Sequence, residues 1–274
     1  MEQSLSAPSA WKSSLSREVE EYFACGAQVA PGQTVLDVGA HVGTFAQRVA
    51  ELCRGDVRLL CFEPAPDSYH ALQSNFMTNR WLRNTEHQLF PLGLSSAAKA
   101  QGIQSFYYFS RSATNSTFDI RSKRREFEIF FEDRSRRLMA QPGLSAMLGG
   151  MLGRLFASTT WRSLIWWCLR HAMGLQEITA QVATLGQMLK RNKIARVDLL
   201  KIDVEGAELD VLMGLDAETW PRVQQVVMET HNRQGMQSQI EHLLVDHGLT
   251  QIAVTQQRAI DNGLDSVIMM ARRA

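Results

Sequence analysis

No apolar run in this 274-residue chain reaches the ~18 residues that a membrane-spanning helix requires. Residues 1–16 are polar and rich in Ser and Ala, without the apolar centre of a signal peptide. The expectation is therefore a soluble, cytoplasmic protein with no membrane span. Charge of either sign is also lacking in excess: 29 Lys and Arg stand against 28 Asp and Glu. Such a chain has no global field to gather nucleic acid or an anionic bilayer, so nucleic acid is not an expected partner. Cysteine is scarce, and Cys25, Cys53, Cys61 and Cys168 form no C-x-x-C pair. Three of the four sit in apolar or helical context, which points to reduced core thiols rather than disulfides or zinc ligands. Internal repeats and low-complexity tracts are absent. So is the G-x-G-x-x-G of dinucleotide-binding folds, which argues against a nicotinamide oxidoreductase.

What is present is a 45% apolar composition, enough to bury the core of one large domain or of one domain carrying an insertion. The most informative stretch is Thr34-Val-Leu-Asp-Val-Gly-Ala-His-Val-Gly43. A short apolar run ending in an acid reads as a buried parallel strand, and Gly39 and Gly43 shape the turn into the next helix. That helix begins with unpaired N–H groups facing the same crevice. The spacing D-x-G-x-x-x-G suits a cofactor without pyrophosphate.

Helical spacing marks residues 17–30, and Phe45, Val49 and Leu52 mark a helix after Gly43. A second apolar strand, 57–62, ends in Glu63-Pro64, completing a βαβ unit whose right-handed crossover brings Asp37 and Glu63 to one sheet edge. A helix through Tyr69, Leu72 and Phe76 and a third strand near 87–92 follow. The aromatic segment 102–109 fits either an extra strand or a pocket wall. Residues 121–137 form a mixed-charge run with the i,i+4 pairing of a solvated helix. Then come two apolar segments: a helical stripe from Leu144 to Phe156, and a helix around Trp161, Trp166 and Trp167. They suit packing on the body, a lid over an apolar substrate, or a dimer or membrane-surface contact. Regular alternation resumes with a helix at 184–189, a fourth strand at 197–202, a helix at 206–214 and a fifth strand at 223–229. Ser238-Gln-Ile-Glu241 reads as a capping box opening another helix. Two antiparallel strands, near 250–254 and 266–270, complete seven.

A carboxylate roughly 20 to 26 residues beyond a glycine loop, at the next strand's end, is placed to accept a ribose diol, and Glu63 stands there; its other reading is to cap the following helix. Asp37, beneath the turn, suits fixing loop amides or a cofactor ammonium. Lys201 lies in an apolar strand beside Asp203, Glu205 and Glu208, and a buried ammonium needs a partner among them or at another strand end. A structural ion pair is its leading role, with catalysis the alternative. Asp203 ends the fourth strand, where open α/β sheets hold ligands.

These three ordered motifs, Asp37-Val-Gly-Ala-His-Val-Gly43, Phe62-Glu-Pro-Ala-Pro66 and Leu200-Lys-Ile-Asp-Val-Glu-Gly-Ala-Glu208, resemble the FkbM family of S-adenosylmethionine-dependent methyltransferases, over roughly residues 33–120 and 180–272. The resemblance implies an α/β class I methyltransferase fold: a seven-stranded, mostly parallel sheet with helices on both faces and an inserted helical segment. It implies a cofactor held by Asp37, Gly39, Ala40, His41, Gly43, Glu63, Pro64 and Asp203, and O-methylation as the usual activity. Asn115-Ser-Thr-Phe118 also resembles a family segment near the cofactor. The sequence departs from the pattern at His41, where the family commonly has Asn. The aspartate often found after the third strand is missing from Gly93-Leu-Ser-Ser96, which leaves adenine recognition unassigned. The resulting division is 1–32, an N-terminal helical segment; 33–120, the cofactor-binding half; 121–178, a helical insertion or lid; and 179–274, the C-terminal half.

An alcohol acceptor needs a base, and His231, Asp203 and His41 are the candidates, with a solvent-facing loop position the alternative for His231. Asp203, Glu229 and His231 also offer an oxygen-rich set for Mg²⁺, a less favoured arrangement. The apolar insertion suits a hydrophobic small molecule such as a polyketide, with sugar, lipid and nitrogen acceptors as alternatives. Residues 121–178 are also the candidate contact for a homodimer or a carrier protein. A non-catalytic interaction protein on the same fold is the remaining rival.

Overall fold

The computed structural model describes residues 9–100, 102–140, 163, 166–167, 170–231, 235–256 and 266–274. The apolar stripe 144–156, Cys168 and most of the Trp161 segment lie outside them. A first helix, α1 (Ser9–Ala24), leads into β1 (Gln33–Val38), α2 (Thr44–Leu52), β2 (Val57–Phe62), α3 (Pro66–Thr78) and β3 (Glu86–Phe90). Next come β4 (Leu92–Leu94), β5 (Gly102–Phe109), α4 (Ile120–Met139), β6 (Leu175–Ala183), α5 (Leu185–Arg191), β7 (Leu199–Ile202) and α6 (Glu208–Leu212). The chain closes with β8 (Gln225–His231), α7 (Met236–Asp246), β9 (Gln251–Gln256) and β10 (Ser266–Arg272).

The seven-stranded sheet runs β3-β2-β1-β7-β8-β10-β9. Its strands are parallel from β3 to β8, while β10 is antiparallel to both neighbours. Its order reverses beside β1, the kind of place where α/β sheets open a crevice at their carboxyl ends. Side chains alternate between the two faces. Leu36, Val38, Leu60, Leu200 and Ile202 join one buried layer with residues of α5, α6 and α7. Val35, Leu59, Cys61, Leu199 and Val227 join the other with residues of α1, α2 and α3. Cys25, Cys53 and Cys61 are buried free thiols, as their context predicts. Among the described residues no helix is long and apolar enough to cross a membrane.

Three sequence expectations change. The seven expected strands form the main sheet, but among the described residues three more, β4, β6 and β5, make a second, three-stranded sheet. The aromatic segment is β5, paired antiparallel with β6, and β6 begins inside the stretch expected to be helical up to 178. Its signal was a period of two in Ile178, Ala180 and Val182, which shares an apolar neighbourhood with the helical stripes before it. The capping box at Ser238 does not open α7, which starts earlier at Met236 behind Gly235 in the left-handed conformation. A reciprocal capping box instead opens α5, between Thr184 and Gln187.

Candidate active site

The alternation that builds the core also collects the acids. Val35 and Leu199 face the α1 side, so Asp37 and Lys201, two residues along, face it too, and parallel register sets those two side by side. Lys201 Nζ lies 3.2 Å from Asp37 Oδ1 and 3.5 Å from Asp203 Oδ2. It also donates to the carbonyl of Gly39 at 2.8 Å. Burial raises the Asp37 carboxyl, an effect that Lys201 opposes. The structural reading of Lys201 therefore holds, with Asp203 and the acid of another strand, Asp37, as its partners. Glu205 pairs with Lys123 instead, and Glu208 accepts from the amide of Gly206.

Two loops nearly touch beside this pair. Gly39 has φ 77°, and a Cβ there would stand 1.8 Å from the carbonyl oxygen of Asp203. Only glycine permits that approach, which brings the β1 and β7 turns together at the crevice. Gly43, φ 87°, precedes α2 with no side-chain cap; the Ala46 amide of the first turn serves the buried Asp37 carboxyl, and Thr44 and Phe45 stand on the cavity wall.

Glu63 is pinned by its own turn and by the β1 turn. Its Oε2 accepts from the amide of His41 at 2.8 Å and its Oε1 from the amide of Ala65 at 2.7 Å. Burial pushes its carboxyl up to about 7, the two amides pulling the other way. His41 itself adopts φ 49°. Burial, then Lys201, lowers its imidazole to about 4, which makes it a weak proton acceptor near neutral pH.

A cavity of about 380 Å³ follows this edge, within the range of small-molecule sites. Gly39, Ala40, His41, Glu63, Pro64 and Asp203 line it, as do Ser116, Thr117 and Phe118 of the Asn115–Phe118 segment and Thr114 just before it. Asp37 is fully buried behind the turn and Gly43 lies against Leu72, so both shape the wall without lining it. Phe106 of β5 forms part of the wall, which reconciles the two readings of that segment. Leu92, Gly93 and Leu94 line the β2 side, with the Phe118 ring packed against Gly93.

At the β8 end lies a group that motif reading did not assemble. Glu18 of α1, Asp203 and Glu229 each offer a carboxylate oxygen, all within 4.8 Å of one another. Such a group could hold a divalent cation, and it keeps Asp203 and Glu229 of the expected Mg²⁺ set while adding Glu18. The backbone of His231 ends β8 opposite Ser266; its side chain lies outside the described residues. The hydroxyl of Tyr22, one turn beyond Glu18, donates to Asp203 Oδ2 at 3.3 Å. Burial, then Asp203, holds that phenol well above its usual range, so it stays a donor. Alternation could have placed Glu229 here, two residues beyond inward-facing Val227; for Glu18 only the helical spacing with Val19 and Tyr22 gave a hint.

The insertion is tied to this end as well. Lys123 of α4 is buried, with Nζ 2.6 Å from Glu205 Oε2 and 3.0 Å from Glu126 Oε2. Thr117 Oγ1 donates to the carbonyl of Glu205 at 3.2 Å. Both contacts hold the turn after β7.

Residues 37–249 match the model of the methyltransferase FkbM domain. The chain is 28% identical to 31-O-demethyl-FK506 methyltransferase FkbM of Streptomyces tacrolimicus, over 92% of this chain and 85% of that protein. It is 29% identical to methyltransferase sdnD of Sordaria araneosa, over 82% and 75% respectively. Among solved structures, it resembles a precorrin-6y C5,15-methyltransferase from Geobacter metallireducens with TM-score 0.41 and 9% identity, covering 100% of this chain and 93% of that one.

Proposed function

The chain belongs to the FkbM-domain methyltransferases, and from that premise we propose that it methylates a hydroxyl of a small, hydrophobic, polyketide-like natural product using S-adenosylmethionine. The observation that carries this reading is one cavity with a pinned carboxylate, Glu63, at one end and three convergent carboxylates at the other. The residues fit the cofactor. Glu63 would accept its ribose hydroxyls, the N-terminal end of α2 suits its carboxylate, and the acids beyond Gly39 suit its positive charges. When bound, S-adenosylmethionine supplies an electrophilic methyl carbon on a cationic sulfur.

The chain's own part is placement, exclusion of water and handling of one proton. Phe45, Phe106, Phe118, Leu92 and Leu94 give the cavity an apolar lining, which favours a hydrophobic acceptor. The relative from Streptomyces tacrolimicus is named for methylation of 31-O-demethyl-FK506. We assign acceptor selection to the insertion, 121–178. Its basic run is partly neutralised by Arg124–Glu128, Arg125–Glu128 and Arg137–Asp133 pairs, which favours that role over attraction of an acidic carrier protein.

The test is transfer of label from S-adenosyl-[methyl-³H]methionine to 31-O-demethyl-FK506 and to a panel of hydrophobic alcohols and amines. Label is expected as an O-methyl ether. Label found only on nitrogen, or S-adenosylhomocysteine failing to bind in calorimetry, would overturn the reading. Turnover is expected to survive EDTA; a loss that Mg²⁺ alone restores would give the carboxylate trio to a metal.

A further inference from the structure

We propose that Glu18 is the proton acceptor for methyl transfer, a role that rests on the function proposed above. The argument begins with direction along the sheet edge. Glu63 follows β2, Gly39 follows β1, Asp203 follows β7 and Glu229 lies near the end of β8, and these strands are consecutive neighbours. A nucleoside held by Glu63 thus occupies one end of the cavity, and Asp203 lies two strand spacings away, about 10 Å. The acceptor must enter at that far end, where α1 brings Glu18 to the cavity wall.

Of the three carboxylates there, Asp203 is already engaged. Its Oδ2 accepts from Tyr22 and lies 3.5 Å from the Lys201 ammonium, two contacts that fix it in place. Glu229 projects from a strand paired on both sides, by β7 and β10. Glu18 comes from a helix laid over the crevice. Burial, then the charge of Asp203, pushes its carboxyl up to about 7. Lys201 opposes this shift, while Glu205 and Glu21 add to it. Glu229 and the un-ionised Tyr22 complete the titratable groups around it.

The step balances. As the acceptor O–CH₃ bond forms and the S–CH₃ bond of S-adenosylmethionine breaks, the electron pair stays on sulfur as a neutral thioether. The hydroxyl proton passes to the Glu18 carboxylate and from there to water. Several carboxylates at the acceptor end also repel an anionic acceptor, so the alcohol should be neutral or cationic.

The test compares binding of two probes in calorimetry: S-adenosylhomocysteine, and sinefungin, which carries an ammonium-bearing carbon in place of the methylsulfonium. The wild-type protein is expected to prefer sinefungin. Glu18→Gln should remove about tenfold of that preference while leaving S-adenosylhomocysteine affinity within about twofold. The wild-type preference should also fall as pH drops below about 7, and the variant's should not. Glu20→Gln, on the solvent side of the same helix, should change neither. With any alcohol that accepts label, Glu18→Gln should slow transfer by about a hundredfold or more.

An unchanged sinefungin preference in Glu18→Gln, or an unchanged rate, would overturn the assignment. So would tight binding of Mn²⁺ alone that the substitution abolishes, since the trio would then hold a metal. Failure of S-adenosylhomocysteine to bind the wild-type protein would instead sink the underlying function, so the two failures are distinct.

Discussion

At the β2 end of the cavity, Glu63 is fixed by two amides of its own neighbourhood, and glycine backbone forms the adjoining wall. At the β8 end, Glu18, Asp203 and Glu229 come from a helix and two strand ends far apart in the chain, with Lys201, Tyr22 and Lys123 holding the surroundings. The first end is specified by two turns of one βαβ unit. The second depends on long-range packing and on ion pairs shielded from water, so its shape follows whatever docks α1 and α4.

The contrast can be broken most severely at Lys201. Lys201→Met leaves Asp37 buried without its cation and should cost about 3–5 kcal/mol of stability, read by urea denaturation. Adding Asp37→Leu should recover much of that loss; no recovery would show that Lys201 acts through something other than the pair. Gly39→Ala sharpens the other half. It forces a left-handed alanine against the Asp203 carbonyl and should cost about 2–4 kcal/mol together with measurable S-adenosylhomocysteine binding. Binding that persists would remove the β1 turn from the cofactor site.

Lys123→Met tests the attachment of the insertion. Glu205 is partly solvated, so the expected cost is lower, about 1–3 kcal/mol, and it should appear as a raised acceptor KM with little change in cofactor affinity. Equal loss of both affinities would mean that α4 supports the whole cavity.

A separate effect is on pH. Glu63 and Glu208 have carboxyls raised from 4.5 to about 7 in the fold. The folded state therefore holds protons that the unfolded chain has released, and the stability this provides is present below about 4.5 and lost as pH rises through about 7. The melting temperature of the ligand-free protein should fall between pH 5 and 8, by about 2–4 °C for each kcal/mol. Glu63→Gln with Glu208→Gln should flatten that slope, and a melting temperature that rises instead would contradict the assigned shifts.

The same contrast explains what could be read from sequence. Glycine spacing and an acid at a strand's end are local signals, so the β1 and β2 turns, the parallel order and the position of Asp203 were legible. Lys201 announced itself because an ammonium in an apolar strand demands a partner, yet only strand register could choose Asp37 over Glu205 and Glu208. Glu18 left no mark of its own. A helix with one inward acid among Val19 and Tyr22 acquires chemistry only when it is laid across two particular strand ends, and that placement is tertiary. The second sheet escaped for a related reason: β5 and β6 pair across a long intervening segment, and loop length says little about which strands will meet.

That pairing carries a consequence for descent. Phe109 and Leu175 stand opposite each other at the ends of β5 and β6, about 5 Å apart. The segment between them starts and ends at one place, and its first part, through Thr117 and Lys123, is bonded to the turn after β7. A stretch whose two ends are fastened side by side can lengthen, shrink or be exchanged without shifting the strands that hold it. If the insertion selects the acceptor, as proposed above, that choice could change through this one segment, provided that Ser116, Thr117, Phe118 and Lys123 keep their places on the cavity wall and the β7 turn.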